Sequence, residues 1–142
     1  MTDVSSACRT YLCNLKGEWD EELLELGGVK KEQLPRIRDS FERIGVVKGG
    51  ALKGVEVCCM MADQIASAYA HYLGLNEAKI TYGTGCFLLM PIGPKPIVHD
   101  TLITTILYRT KDSTQYALEW ATESGGVTLN WAQSAGFFKE YQ

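Results

Sequence analysis

Four runs of strand-forming residues, ITYG, CFLLMPI, TLITTILYR and QYALEW, crowd the second half of the chain with little sequence between them. The first two flank Gly83-Thr84-Gly85, and the last two flank the polar turn TKDST. Such short connections favour antiparallel pairing, because a parallel pair needs a long crossover. The rest of the chain must therefore pack on a sheet.

The first half alternates strand and helix signals. RTYLCNLKGEWD begins like a strand, with Tyr11, Cys13 and Leu15 alternating against Leu12 and Asn14 before a turn at Lys16-Gly17. Asp20 is placed to cap a helix that starts with Glu21 and Glu22, uses Leu23, Leu24 and Leu26 as its apolar face, and stops at Gly27-Gly28. A short helix is expected from Lys31 to Leu34, followed after Pro35 by an exposed connection through Arg36, Ile37 and Arg38. Gly45, Gly49, Gly50 and Gly54 mark a turning connector, read as a hairpin and a domain boundary near residue 50. Beyond it, VEVCCMMAD reads as a buried strand that feeds at Asp63 into a helix, QIASAYAHYLG, with Ala66, Tyr69, Ala70 and Leu73 at helical spacing. Gly125-Gly126 opens a last helix containing Val127, Leu129, Trp131 and Ala135, interrupted near Gly136.

Composition excludes some functions. Fourteen basic and seventeen acidic residues in a chain of 142 give a net charge of -3, which lacks the basic field that nucleic acid requires. No apolar run reaches the roughly 18 to 20 residues that span a bilayer, and MTDVSSACRT has no apolar signal segment, so a soluble cytoplasmic protein is expected. Cys8, Cys13, Cys58, Cys59 and Cys86 are an odd set without CxxC spacing, and with only His71 and His99 as imidazoles they are read as reduced, mostly buried thiols rather than a metal cage.

Asp63 stands where a strand passes into a helix, the edge of a sheet at which α/β folds place ligands. It could take a proton there, or cap the helix. Gln64 beside it can both donate and accept hydrogen bonds. In TYGTGCF the glycines around Thr84 allow backbone N–H groups to converge on an anion such as a nucleotide phosphate, although a plain turn explains them equally well. Phe87 reads as core, Gly126 could let a ring or phosphate approach closely, and Trp19, Trp120 and Trp131 read as packing residues with a hydrogen-bonding edge.

Taken in order, these segments resemble the FGGY carbohydrate kinases, a family with an ATPase core like that of actin. The WD-led helix after RTYLCNLKGE is similar to the end of the family's first domain, and ADQIASAYA to the motif opening its second. TYGTGCFLLM and LITTI resemble the glycerol-phosphorylating members more than the xylulose or gluconate ones. The resemblance implies an α/β fold, a portion of an actin-like (ribonuclease H-like) ATPase with a mixed sheet and antiparallel hairpins. Residues 1–50 would be the C-terminal part of the first kinase domain with its connector, and residues 51–142 the N-terminal part of the second, nucleotide-binding domain.

It also implies roles. Asp63 matches the general base that takes the proton of a glycerol hydroxyl as it attacks the γ-phosphate of ATP, Gln64 a residue that holds the polyol, and Phe87 the aromatic wall of its pocket. Gly83 and Thr84 match the phosphate-contacting turn, and Gly126 and Asn130 match positions that contact the nucleotide. ATP and Mg2+ are implied as cofactors, and glycerol, ATP and either a homo-oligomer or a complementary kinase fragment as partners. Departures from the family pattern are Ala62 for a glycine, Trp120 for the glycine of a YALEG segment, Glu123 in an apolar stretch, Asn130 for a glutamine, and Asp100-Thr101 in a loop. The family's Asp-x-Gly-Thr phosphate turn and its adenosine-holding glycine segment are not found in this sequence, so weak or absent turnover by the isolated chain is expected.

Overall fold

The computed structural model describes residues 1–140. In chain order the elements are β1 (Thr2–Asp3), α1 (Val4–Cys8), α2 (Glu21–Leu26), a 3-10 turn (Lys31–Gln33), β2 (Ile37–Arg38), β3 (Gly45–Val46), β4 (Glu56–Val57), α3 (Asp63–Ala70), β5 (Lys79–Tyr82), β6 (Cys86–Gly93), β7 (Ile103–Arg109), β8 (Thr114–Thr122) and α4 (Gly126–Ser134).

The strand-rich half forms a four-stranded antiparallel sheet in the order β5-β6-β8-β7. Two tight turns join β5 to β6 and β7 to β8, as the sequence pattern expects. The longer connection from β6 to β7 places β8 between them. Consecutive residues of β8 then serve different clusters, since strand side chains alternate in direction. Ala117 packs with Ile65, Ala68, Leu89 and Leu107, which seats α3 on the sheet, whereas Tyr116 packs with Val4 and Ile106, which seats α1. A short parallel pair, β1 with β2, and the hairpin of β3 with β4 complete the mixed α/β architecture.

Asp20 caps α2 as expected, its Oδ1 accepting from the N–H groups of Glu22 and Leu23, and the 3-10 turn falls on the expected short helix. Other expectations are corrected. RTYLCN is not a strand: Tyr11 sits at φ 59, and only Cys13 bridges to Trp19, because Asn14 gathers the N–H groups of Lys16 and Glu18 into a turn. Arg36–Arg38 is not merely a connection, since Ile37 and Arg38 pair with β1. VEVCCMMAD is not a buried strand; only Glu56 and Val57 pair, and Cys58 and Cys59 are exposed. Of the thiols Cys13 alone is buried, so "mostly buried" fails while all five remain free.

Helix faces also differ from their periodicity. α3 buries Ile65 and Ala68, leaving Ala66, Tyr69 and Ala70 exposed, and α2 buries only Leu24. α4 forms where expected, with Gly136 just beyond its end at φ 84, but buries none of its residues. Trp19 donates from Nε1 to the Pro35 carbonyl, whereas Trp120 and Trp131 are about half exposed and are not core.

Candidate active site

The approach to α3 is fixed by a buried polar network that begins at residue 3. Asp3 Oδ2 accepts from the Ser5 N–H at 2.9 Å, the Ser5 hydroxyl at 2.7 Å and the Ser40 hydroxyl at 2.9 Å, and Oδ1 accepts from the Ser6 N–H at 3.0 Å. Ser5 Oγ then accepts the Ala62 N–H at 2.9 Å, and the Ser40 carbonyl accepts the Met60 N–H at 3.0 Å. Asp3, Ser5 and Ser40 are all buried, so these bonds form where water does not compete. Residues 60–62 are thus tethered directly before Asp63.

Asp63 is the first residue of α3, with Ala62 in the capping position. The capping alternative is therefore not realised. Its carboxylate accepts the Gln64 N–H at 2.7 Å, is exposed, and lies at the helix end whose dipole favours negative charge. Gln64 is half-buried and reaches toward β5, where Lys79 and Thr81 contact its side-chain oxygen.

Gln64 and Phe87 line one depression of about 140 Å3, together with Arg9, Glu119 and Trp120. Phe87, 45% exposed, is a wall of this hollow and not a core residue. Trp120 also belongs to this hollow, so its bulk bears on the Gln64 side of the molecule. Arg9 and Glu119 close it with a two-pronged ion pair. Burial, the largest influence on Arg9, works against its charge, yet the Glu119 hydrogen bond and charge, with smaller contributions from Cys8 and Asp63, hold its pKa above the ordinary value. Asp63 is not among the lining residues of this depression, although its charge is felt by Arg9 there.

Gly83, Thr84, Gly126 and Asn130 line a second, open depression of about 320 Å3. Two turns distant in sequence are locked together to make it. The Gly125 N–H donates to the Thr84 carbonyl and the Gly126 N–H to the Gly83 carbonyl, both at 2.7 Å. A Cβ on Gly125 would lie 2.7 Å from the Gly83 oxygen, and one on Gly85 would lie 2.5 Å from the Thr122 oxygen. Glycine is required because backbone meets backbone. Glu123 and Asn130 are exposed, as are Asp100 and Thr101 in the loop after β6, so these departures from the family pattern meet solvent.

Residues 1–69 match the model of the FGGY family of carbohydrate kinases, N-terminal domain. A glycerol kinase of Borreliella burgdorferi is 39% identical over 98% of this chain, and one of Francisella tularensis subsp. novicida 37% identical over 92%. The chain is homologous to the FGGY carbohydrate kinases. It spans 29% and 27% of the lengths of those two relatives. The crystal structure of Plasmodium falciparum glycerol kinase with ADP superposes on it with a TM-score of 0.88 at 30% identity, covering 98% of this chain and 29% of that one. Xylulose kinase from Rhodospirillum rubrum, at 20% identity, shares the fold over 95% of this chain and 28% of its own, with a TM-score of 0.77. The mixed α/β architecture is that of the FGGY kinases. No helix among the described residues is long and apolar enough to cross a membrane.

The sequence pattern missed Asp3, Ser5 and Ser40, and also Arg9 with Glu119. Asp-Val-Ser-Ser carries a capping signal for α1, but nothing local indicates that the same carboxylate reaches Ser40 or, through Ser5, Ala62.

Proposed function

We propose that this chain is a portion of an ATP-dependent kinase that phosphorylates glycerol, with residues 1–50 closing the first kinase domain and residues 51–142 beginning the second. The observation that carries this reading is the meeting of Gly83, Thr84, Gly126 and Asn130, from two separate turns, around one open depression. The glycine turns let a phosphate approach the backbone closely, and with the Gly83 and Gly126 N–H groups already donating to the Gly85 and Gly83 carbonyls, the Thr84 hydroxyl is a side-chain donor that can meet a phosphate oxygen. The neighbouring hollow beside Gln64 and Phe87 is small for a nucleotide but has room for a three-carbon polyol.

In this reading Gln64 holds the polyol against the Phe87 ring, and Asp63 is the general base. A hydroxyl oxygen attacks the γ-phosphorus of ATP, the bond from that phosphorus to the β–γ bridging oxygen breaks, ADP leaves, and the hydroxyl proton passes to the Asp63 carboxylate. Glycerol 3-phosphate is the product. The Asp63 carboxylate is exposed at the helix start, where a ligand hydroxyl can reach it. Among the described residues no three His, Cys, Asp or Glu side chains gather as a metal site. Mg2+ bound with the nucleotide would neutralise charge on its phosphates.

The open depressions leave reactants in contact with water, so the 142-residue chain alone is expected to turn over far more slowly than an ordinary kinase. Incubation with Mg-ATP and glycerol, following ADP release, tests both statements. A slow, glycerol-dependent release that Asp63→Asn abolishes is expected. Release at about 1 to 100 per second would overturn the weak-activity reading, and release indifferent to Asp63→Asn would remove the base from Asp63.

A further inference from the structure

Lys79 opens β5, and its half-buried ammonium donates to Gln64 Oε1 at 2.9 Å and to Thr81 Oγ1 at 2.6 Å. The Thr81 hydroxyl donates in turn to Gln64 Oε1 at 3.1 Å. Among the described residues no carboxylate oxygen lies within 4.0 Å of this cation. Its charge is therefore directed at an amide, not spent on an ion pair.

That arrangement fixes which way the amide faces. An ammonium has three donors and no acceptor, so it must face the amide oxygen and not the amide nitrogen. An amide oxygen has two lone pairs, and Lys79 and Thr81 occupy both. Nε2, which only donates, is the part left for a ligand. Thr81 stands directly opposite Phe87 in the β5–β6 ladder, and opposed residues share a sheet face, so the locked amide lies beside the aromatic wall of the hollow. The positive charge also polarises the amide and strengthens its N–H donors.

We infer that Lys79 is a positioning residue, which with Thr81 locks the Gln64 amide so that it presents only N–H donors to the hollow. A ligand hydroxyl must then bind through its oxygen, which leaves the hydroxyl proton free for Asp63 on the adjoining residue. The inference rests on the reading of Gln64 as a polyol ligand. It adds a selection rule: groups that offer a hydrogen-bond acceptor enter, and groups that offer only a donor at that point do not.

The test uses the 142-residue chain labelled with 13C and 15N at glutamine, as it stands and as Lys79→Met and Lys79→Arg. Methionine keeps the apolar stem without the donor, and arginine keeps a donor. Without ligand, the Gln64 side-chain Cδ and Nε2 resonances should move in Lys79→Met and return toward their original positions in Lys79→Arg, while backbone amides remote from Gln64 stay in place. In glycerol titrations Lys79→Met should weaken binding about tenfold, the scale of one lost hydrogen bond to a charged group, and Lys79→Arg should recover most of it. Unmoved Gln64 side-chain resonances in Lys79→Met would overturn the lock. Moved resonances with unchanged glycerol affinity would overturn its bearing on the ligand. If glycerol leaves Gln64 unaffected in the unaltered chain, the polyol reading fails instead, and the ligand-free resonances still decide the lock.

Discussion

The start of α3 is held by side chains drawn from far along the chain, whereas the turns at Gly83–Gly85 and Gly125–Gly126 are held by their own backbone. In the first region a single buried carboxylate, Asp3, gathers four donors, and the Ser5 hydroxyl it orients holds the residue before Asp63. In the second, two turns approach so closely that a methyl group cannot fit between them. The first region depends on atoms being present, and the second on atoms being missing. Deletion should break one and addition the other.

The largest effect is expected at Asp3→Ala. It leaves the buried hydroxyls of Ser5 and Ser40 and the N–H groups of α1 without their acceptor, which should destabilise the chain by about 3 kcal/mol in urea unfolding. Resonances of Ala62 to Gln64 should shift with it while those of Gly125 and Gly126 stay. Gly125→Ala should reverse the pattern. Forcing Gly83 and Gly85 away should cost about 2 kcal/mol, the range for overpacking a filled site, and should disturb Thr84 and Asn130 without moving Asp63.

Arg9→Ala should have a smaller effect, about 1 kcal/mol, because the guanidinium is partly exposed and solvent screens its pairing with Glu119. Thiol reactivity should leave stability nearly untouched and probe the first region alone. Cys58 and Cys59 are exposed in the segment that leads to the tethered residues, whereas burial, with a smaller push from Cys8, raises Cys13 to about 12. A thiol whose pKa lies that high stays protonated and unreactive at pH 8. Iodoacetamide at that pH, followed by mass spectrometry, should label Cys58 and Cys59 first and Cys13 last. Burial also raises Cys59, which should make it the slower of the exposed pair.

The same contrast explains what the sequence could reveal. Glycine turns announce themselves, because the residue that permits close approach is the signal, and Gly83, Thr84, Gly126 and Asn130, which the family pattern groups together, line one depression. The four strands were legible from their β-branched runs and short turns. The burial of α3 was not: Ile65 and Ala68 face the sheet while Tyr69 leans outward toward Phe41 and Tyr108, and periodicity alone does not say which stripe meets the sheet. Nor could VEVCCMMAD be told from a buried strand, since apolar residues in a tethered connection read the same as those in a ladder. The Asp3 network and the Lys79–Gln64 contact were hidden for a simpler reason. Their partners lie 37 and 15 residues apart, and only the fold brings them together.

We propose that the two depressions bind different ligands, the one beside Gln64 and Phe87 a polyol and the one beside Gly83 and Gly126 nucleotide phosphate. Backbone and side-chain NMR of the labelled chain, titrated with glycerol alone and with Mg-ATP alone, tests it most directly. Glycerol should move Gln64 and Phe87, and Mg-ATP should move Gly83, Thr84, Gly126 and Asn130, each saturably. Saturable shifts confined to one shared set of residues, or none with either ligand, would contradict the claim.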